Sequence, residues 1–192
     1  QRDNNVALLG LDIVSNEFIV ENSDALDGQS LRLSHYLKID GLLDLVGESQ
    51  LIQDSGSIVD NTGTGVLERD QQGTTNLYNY NYWSSPVNNN FVSFSIGAVL
   101  HDGTNASSPQ SVLWTASHDA PGTANPITMS SRWLYSYENF PVGSYADWVR
   151  LNQNTLVNIG LGFTMKGSGR PTSDQNYVFI GKPNNGIITT PI

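Results

Sequence analysis

The chain has 192 residues, enough to bury a core as one domain or as two small packed units. It has no cysteine, which excludes a disulfide framework and Cys-ligated metal but leaves an extracellular home open, since large β proteins need no staples. Lys+Arg 9 against Asp+Glu 18 give a formal charge of -9, which repels phosphate backbones and anionic lipid surfaces and sets nucleic-acid binding aside. Charged residues make up only 14%. Solubility falls instead to amides, hydroxyls and glycine, the balance of secreted β-rich proteins. No run approaches the roughly 18 apolar residues of a membrane span, and no basic-then-apolar leader precedes Val6. Residues 186–192 read as a strand that stops without a closing turn, so the expectation is a fragment of a longer protein.

In chain order, the first apolar runs are residues 6–14 and 18–20. Both are short, Leu-rich or β-branched, and lack a helical cap followed by a 3.6-residue stripe, so strands are predicted. From Leu31 onward apolar pairs recur every six to eight residues: Leu31 with Leu33, Leu37 with Ile39, Leu43 with Leu45, Leu51 with Ile52, Ile58 with Val59, Val66 with Leu67. Between them Asp40-Gly41, Gly47, Ser55-Gly56 and Asn61-Thr62-Gly63-Thr64-Gly65 turn the backbone at little steric cost. Strands so short, with turns so tight, fit the faces of a coiled β-solenoid better than hairpins. About two coils fit, too few to stand alone, so the strip must bury its ends against a neighbour.

Leu77-Tyr78-Asn79-Tyr80-Asn81-Tyr82-Trp83-Ser84-Ser85-Pro86-Val87 is the predicted hinge. Tyr78, Tyr80 and Tyr82 alternate with Asn79 and Asn81, a period of two that places three rings on one face of a strand, the seam between two β units. Beyond it the runs lengthen, at residues 91–96, 112–115, 132–137, 148–151, 159–165 and 177–180, with longer loops such as 117–126. Antiparallel strands of that kind predict a β-sandwich of jelly-roll type. Helix is confined to one-turn pieces, with residues 144–148 the candidate. The expected fold is all-β: a short β-solenoid-like strip, residues 1–76, packed on an antiparallel β-sandwich of jelly-roll type, residues 77–192.

Three segments carry a resemblance: Glu68-Arg69-Asp70-Gln71-Gln72-Gly73-Thr74, Tyr80-Asn81-Tyr82-Trp83-Ser84-Ser85-Pro86-Val87, and Gln175-Asn176-Tyr177-Val178-Phe179-Ile180-Gly181-Lys182-Pro183-Asn184-Asn185-Gly186. They resemble stretches of very long surface and secreted proteins of bacteria with a type IX secretion system, and the resemblance covers roughly residues 31–186. It implies a solenoid strip that runs through an aromatic Trp-Ser-Ser-Pro segment into a sandwich, usually far upstream of a C-terminal sorting domain that these residues do not include. It also implies an extracellular or cell-surface location. Such proteins look like adhesins, filament subunits or stalks, some with attached carbohydrate-binding or degrading domains, and likeness of fold does not assign activity.

Four site hypotheses follow. Trp83, Trp114, Trp133, Trp148, Tyr135 and Tyr137 offer flat rings on which sugar faces can stack. The same alternation also builds a cross-strand aromatic row that fills a core, and the burial tendency of large aromatics favours that reading unless an exposed coplanar pair is found. Calcium wants six to eight oxygens, and loops around Asp102 and Asp119 are the first candidates, although Asx-turns explain both.

Hydrolysis needs two facing carboxylates, with Asp44, Glu48, Asp54, Glu68, Asp70, Glu138 and Asp147 as the acids, in a chain where scattered surface carboxylates are expected anyway. Arg69 between Glu68 and Asp70 reads as a local ion pair locking strip to sandwich. His35, His101 and His118 fall in no zinc grouping and no serine sits in a nucleophile elbow. Assembly is the fourth: strand edges at residues 6–14 and 186–192 can add a neighbouring domain or subunit. The leading expectation is a non-catalytic extracellular structural or adhesive module of a large cell-surface protein. The alternative is a carbohydrate-binding module of a secreted polysaccharide-processing protein, and the third is a glycosidase or lyase.

Overall fold

A computed structural model describes residues 5–21, 28–138 and 148–190, and among them the protein is all-β, with several sheets of mixed parallel and antiparallel pairing. The first seven strands are β1 (Val6–Ile13), β2 (Glu17–Val20), β3 (Ser30–Ile39), β4 (Leu42–Leu45), β5 (Gln50–Gln53), β6 (Ile58–Val59) and β7 (Val66–Thr74). β3 lies parallel to β1 on one side and to β5 and β6 on the other, while β2, β4 and β7 run parallel in a second sheet. Each pass of the chain therefore lays strand on both sheets, and like residues stack on like. Leu8 pairs with Leu33, Leu11 with Leu37 and then Val59, Ile13 with Ile39, and Leu43 with Leu67.

The apolar pairs of the sequence are these columns, with Leu31, Leu33, Leu37, Leu43, Leu45 and Leu67 all buried. Three passes are present rather than about two, because residues 6–20 form the first layer. The layers are hydrogen-bonded backbone to backbone at one corner. There the Leu42 N–H donates to the Asn16 carbonyl at 2.8 Å and the Val66 N–H to the Gly41 carbonyl at 3.1 Å. A Cβ on Gly65 would overlap the Gly41 carbonyl oxygen, so this column requires glycine.

The remaining strands are β8 (Tyr80–Ser84), β9 (Val87–Asn88), β10 (Ser93–Ser95), β11 (Leu100–Asp102), β12 (Gln110–Ser111), β13 (Leu113–Thr115), β14 (Thr128–Ser130), β15 (Tyr135–Tyr137), β16 (Trp148–Arg150), β17 (Leu156–Asn158), β18 (Gly162–Lys166) and β19 (Asp174–Pro183). One helical turn, α1 (Ile96–Val99), and one 3-10 turn (Ser131–Trp133) interrupt them. β19 pairs antiparallel with β7 from Asp174 opposite Thr74 to Gly181 opposite Leu67, so β7 has a parallel neighbour on one flank and an antiparallel neighbour on the other. The change from parallel to antiparallel pairing falls there, and not at the tyrosine strand, which joins a separate four-stranded sheet in the order β16, β15, β18, β8.

Several expectations need correction. Most strands after β8 are two or three residues long, shorter than the apolar runs implied, and β13 pairs with β14 in parallel. Side-chain amides cause part of this. Asn88 accepts from the Phe91 N–H at 2.6 Å and Asn90 from the Ser93 N–H at 2.8 Å, so Phe91 and Val92 turn instead of extending. Residues 186–190 are not a strand, and Ile187 is exposed. Of the helix expected at 144–148, residues 144–147 lie outside the described residues, and Trp148 begins β16. Phe94, Ile96, Leu100, Met129, Leu134, Phe163, Met165, Tyr177 and Phe179 fill the core beneath the four-stranded sheet, and Trp83 packs against them.

Candidate functional site

Strand periodicity gives the four-stranded sheet two unlike faces. In β8, Trp83 turns inward, where its indole meets Tyr177, Phe179 and Phe163 edge-on with ring centroids 5.0, 5.8 and 6.4 Å away. Tyr80 and Tyr82 point the other way, their centroids 6.2 Å apart, and Tyr82 is 68% exposed. In β18, Gly162, Thr164 and Lys166 alternate with the buried Phe163 and Met165 and stand opposite Ser84, Tyr82 and Tyr80, with Thr164 itself buried beneath the rings. β15 contributes Tyr135 opposite Thr164, and β16 contributes Trp148, paired with Tyr137 at a centroid distance of 5.0 Å and tilted by 59°.

Small side chains in the middle of a sheet with rings on both sides make a trough. Two adjoining hollows result. The first, of about 160 Å³, is lined by Tyr80, Tyr82, Trp133, Tyr135, Trp148 and Thr164. The second, of about 340 Å³, shares Tyr82, Tyr135, Trp148 and Thr164 and extends over Gly162 to Tyr137.

Trp133 arrives from the 3-10 turn and is fixed from three directions. Its Nε1–H donates to the His118 carbonyl at 2.7 Å, the His118 ring meets it edge-on at 4.7 Å, and Lys166 Nζ lies 3.6 Å from its ring centroid. Lys166 Nζ is also 5.4 Å from the Tyr80 centroid, so one ammonium is held between two rings by cation–π attraction.

Of the six aromatic residues singled out by sequence, Trp133, Tyr135, Tyr137 and Trp148 come together in this groove. Trp83 borders it but spends its indole on the core, and Trp114 packs against the core with its Nε1 buried and without a hydrogen-bond partner. None of the groove rings described above forms a coplanar pair. Tyr80, Tyr82, Gly162, Thr164, Lys166 and Arg150 complete the face. The alternation of Gly162, Thr164 and Lys166 with Phe163 and Met165 was a readable signal for half of them.

The metal candidates are differently placed. Asp102 is buried and its carboxylate accepts from the Thr104 and Ile127 N–H groups at 2.9 and 2.8 Å and from Gln175 Nε2 at 3.0 Å, with Arg170 at 3.7 Å. It fastens loops together. Asp119 is exposed and bonded to His118 at 3.1 Å. Among the described residues no three His, Cys, Asp or Glu side chains gather as a metal site.

The acids are likewise dispersed or structural. Asp54 pairs with Arg32 at 2.8 Å, Asp70 accepts from the Gly47 N–H at 2.9 Å, and Glu138 accepts from Ser136 at 2.7 Å. Asp44 and Glu68 are opposite one another on β4 and β7, away from both hollows. Burial, with the charges of Asp70, Glu17 and Glu21 adding to it, lifts Asp44 to about 6, and burial with the charges of Asp44, Asp70 and Glu17 lifts Glu68 to about 7. Asp147 lies outside the described residues. The ion pair expected of Arg69 does not form among the described residues: alternation turns it from Glu68 and Asp70, and it donates instead to the carbonyls of Gly47 and Asp70.

A family model described as a domain of unknown function (DUF8693) matches residues 11–192. No curated protein and no solved structure matches the chain.

Proposed function

The chain belongs to the DUF8693 family, and with that as the premise we propose that it is a non-catalytic, extracellular module that adheres to polysaccharide through the ring-lined groove of the four-stranded sheet. One observation carries this reading: tyrosines and tryptophans from β8, β15, β16 and the 3-10 turn converge over a floor of Gly162 and Thr164. Rings of this kind present apolar faces to the C–H side of a pyranose, while phenol and threonine hydroxyls meet its O–H groups. An exposed aromatic groove that is lined but not filled is also unlike a core, since interiors close-pack.

The surrounding architecture is read as a solenoid-like strip, built of the parallel layers, docked on a jelly-roll-type sandwich. Such a body suits a piece of a large cell-surface protein of bacteria with a type IX secretion system, where neighbouring domains or subunits add to the strand edges and repeated weak sites gain avidity. Composition supports the extracellular placement: amides and hydroxyls in place of charge, and no cysteine to protect. A glycosidase or lyase gains no support from Asp44 and Glu68, which lie outside the groove.

Affinity electrophoresis through gels containing soluble polysaccharides tests the proposal. Retardation by at least one polysaccharide, abolished by Trp148→Ala and Tyr82→Ala with unchanged circular dichroism, is the expected result. Migration unaffected by every polysaccharide in a panel of neutral, carboxylated and sulfated chains overturns it.

A further inference from the structure

The groove also has a charge signature. Among the described residues, Arg32 and Lys38 pair with Asp54 and Asp40 at 2.8 and 2.6 Å, and Arg170 stands 3.7 Å from Asp102. Arg69 is spent on the carbonyls of Gly47 and Asp70, and Lys182 on those of Gly63 and Gly65 at 2.6 Å each. The described cations left over are Arg132, Arg150 and Lys166, and all three belong to the segments that build the groove.

Lys166 lies between the Tyr80 and Trp133 rings. Arg150 is two residues from Trp148 on β16, hence on the same face, and is the cross-strand partner of Tyr135. Among the described residues no carboxylate lines either hollow, in a chain with Asp+Glu 18. Asp119 is one contact removed, bonded to the His118 that abuts Trp133.

From this we infer that the groove takes an acidic polysaccharide, one whose sugars carry carboxylate or sulfate groups for Lys166 and Arg150 while their ring faces lie on the aromatic residues. The inference rests on the polysaccharide-binding reading above and narrows it. A neutral glycan offers these cations only hydroxyl acceptors and no opposing charge, and a protein as acidic as this one has no general surplus of positive charge to scatter. The net charge of -9 opposes a polyanion at long range. Physiological salt screens that field beyond about 8 Å, however, and inside that distance the local ammonium and guanidinium decide. Charge-assisted bonds to guanidinium are also the stronger class, and a carboxylate or sulfate accepts two at once.

The test uses the whole chain and four probes: polygalacturonate, the same polymer after reduction of its carboxyl groups, dextran sulfate and hydroxyethylcellulose. Binding of polygalacturonate or dextran sulfate, weakened roughly tenfold by Lys166→Gln and by Arg150→Gln, restored in part by Lys166→Arg, and weakened by added salt, is expected. The arm that binds separates carboxylate from sulfate recognition. Equal binding of the carboxyl-reduced polymer and no effect of either charge variant would overturn the inference while leaving polysaccharide binding intact. Retention of acidic polymers that Trp148→Ala does not change would reveal simple ion exchange and sink both. Because Lys166 also steadies Trp133, Arg150→Gln is the decisive variant, as Arg150 has no partner among the described residues to disturb.

Discussion

Asp44 and Glu68 occupy facing positions on adjacent parallel strands, and both are buried, at 8% and 6% exposure. Parallel stacking that puts leucine on leucine in one column puts carboxyl beside carboxyl in the next. Folding removes these groups from water, so the folded state holds their protons more tightly than the unfolded chain does. Stability therefore falls as pH rises from the unfolded values of 3.8 and 4.5 through the folded ones of about 6 and about 7. Glu68→Gln is expected to stabilise the protein by about 2 kcal/mol at pH 8 and to change little at pH 4. Urea melts of both proteins at the two pH values check this, and an equal shift at both would contradict it.

Gly162 tests the groove without touching a ring. A Cβ there meets nothing nearer than the Trp83 carbonyl oxygen at 3.5 Å, so a larger side chain enters the hollow and not the core. Gly162→Leu is expected to weaken polysaccharide binding at least about tenfold, measured by calorimetry, with the melting temperature moved by less than about 4 °C.

Trp83 and Trp148 are four-stranded-sheet tryptophans with opposite duties. Trp83→Ala empties a site ringed by Tyr177, Phe179 and Phe163 and is expected to cost about 3–5 kcal/mol of stability. Trp148 is 37% exposed, and its replacement by alanine is expected to cost under about 1 kcal/mol while binding is lost. Denaturant melts and binding isotherms on both variants separate the two roles.

At the corner column, Gly65→Ala sets a methyl against the Gly41 carbonyl oxygen, and the nearest atoms are all backbone of Asp40 and Gly41, with no flexible side chain to give way. A loss of about 2 kcal/mol or more is expected in thermal unfolding.

Asp102 is a different kind of fastening. Removing its carboxylate leaves the buried Ile127 N–H and Gln175 Nε2 without that acceptor. Asp102→Ala is expected to cost about 3 kcal/mol or more, and added calcium is expected to leave the melting temperature of the natural protein unchanged.

Much of the first half was legible because a parallel stack repeats its own chemistry. The pairs Leu31 with Leu33 and Leu43 with Leu45 announce buried columns, and Gly41 and Gly65 announce corners. What local pattern does not contain is partner choice. Nothing in residues 66–74 says that residues 174–181 will lie beside them, since that contact is fixed by the path of a hundred intervening residues. The aromatic groove was half readable for the same reason. Alternation accounts for Tyr80 and Tyr82 sharing the outward face, but Tyr78 falls in a turn before β8, Trp83 goes to the core instead of the groove, and only tertiary placement shows that Tyr135 and Trp148 join the same face. The Asn88 to Asn90 turn was missed because its amides divert hydrogen bonds that an apolar reading of Phe91 and Val92 assigns to a strand.

β7 is bonded along both flanks, to β4 with one polarity and to β19 with the other. A tug on the chain from either side must shear two ladders of opposite sense at once before that strand can peel away. The layered region and β19 are thus one hydrogen-bonded sheet, and a pull delivered at the groove passes to it through the tryptophan of β8, Trp83, seated on Tyr177 and Phe179 of β19.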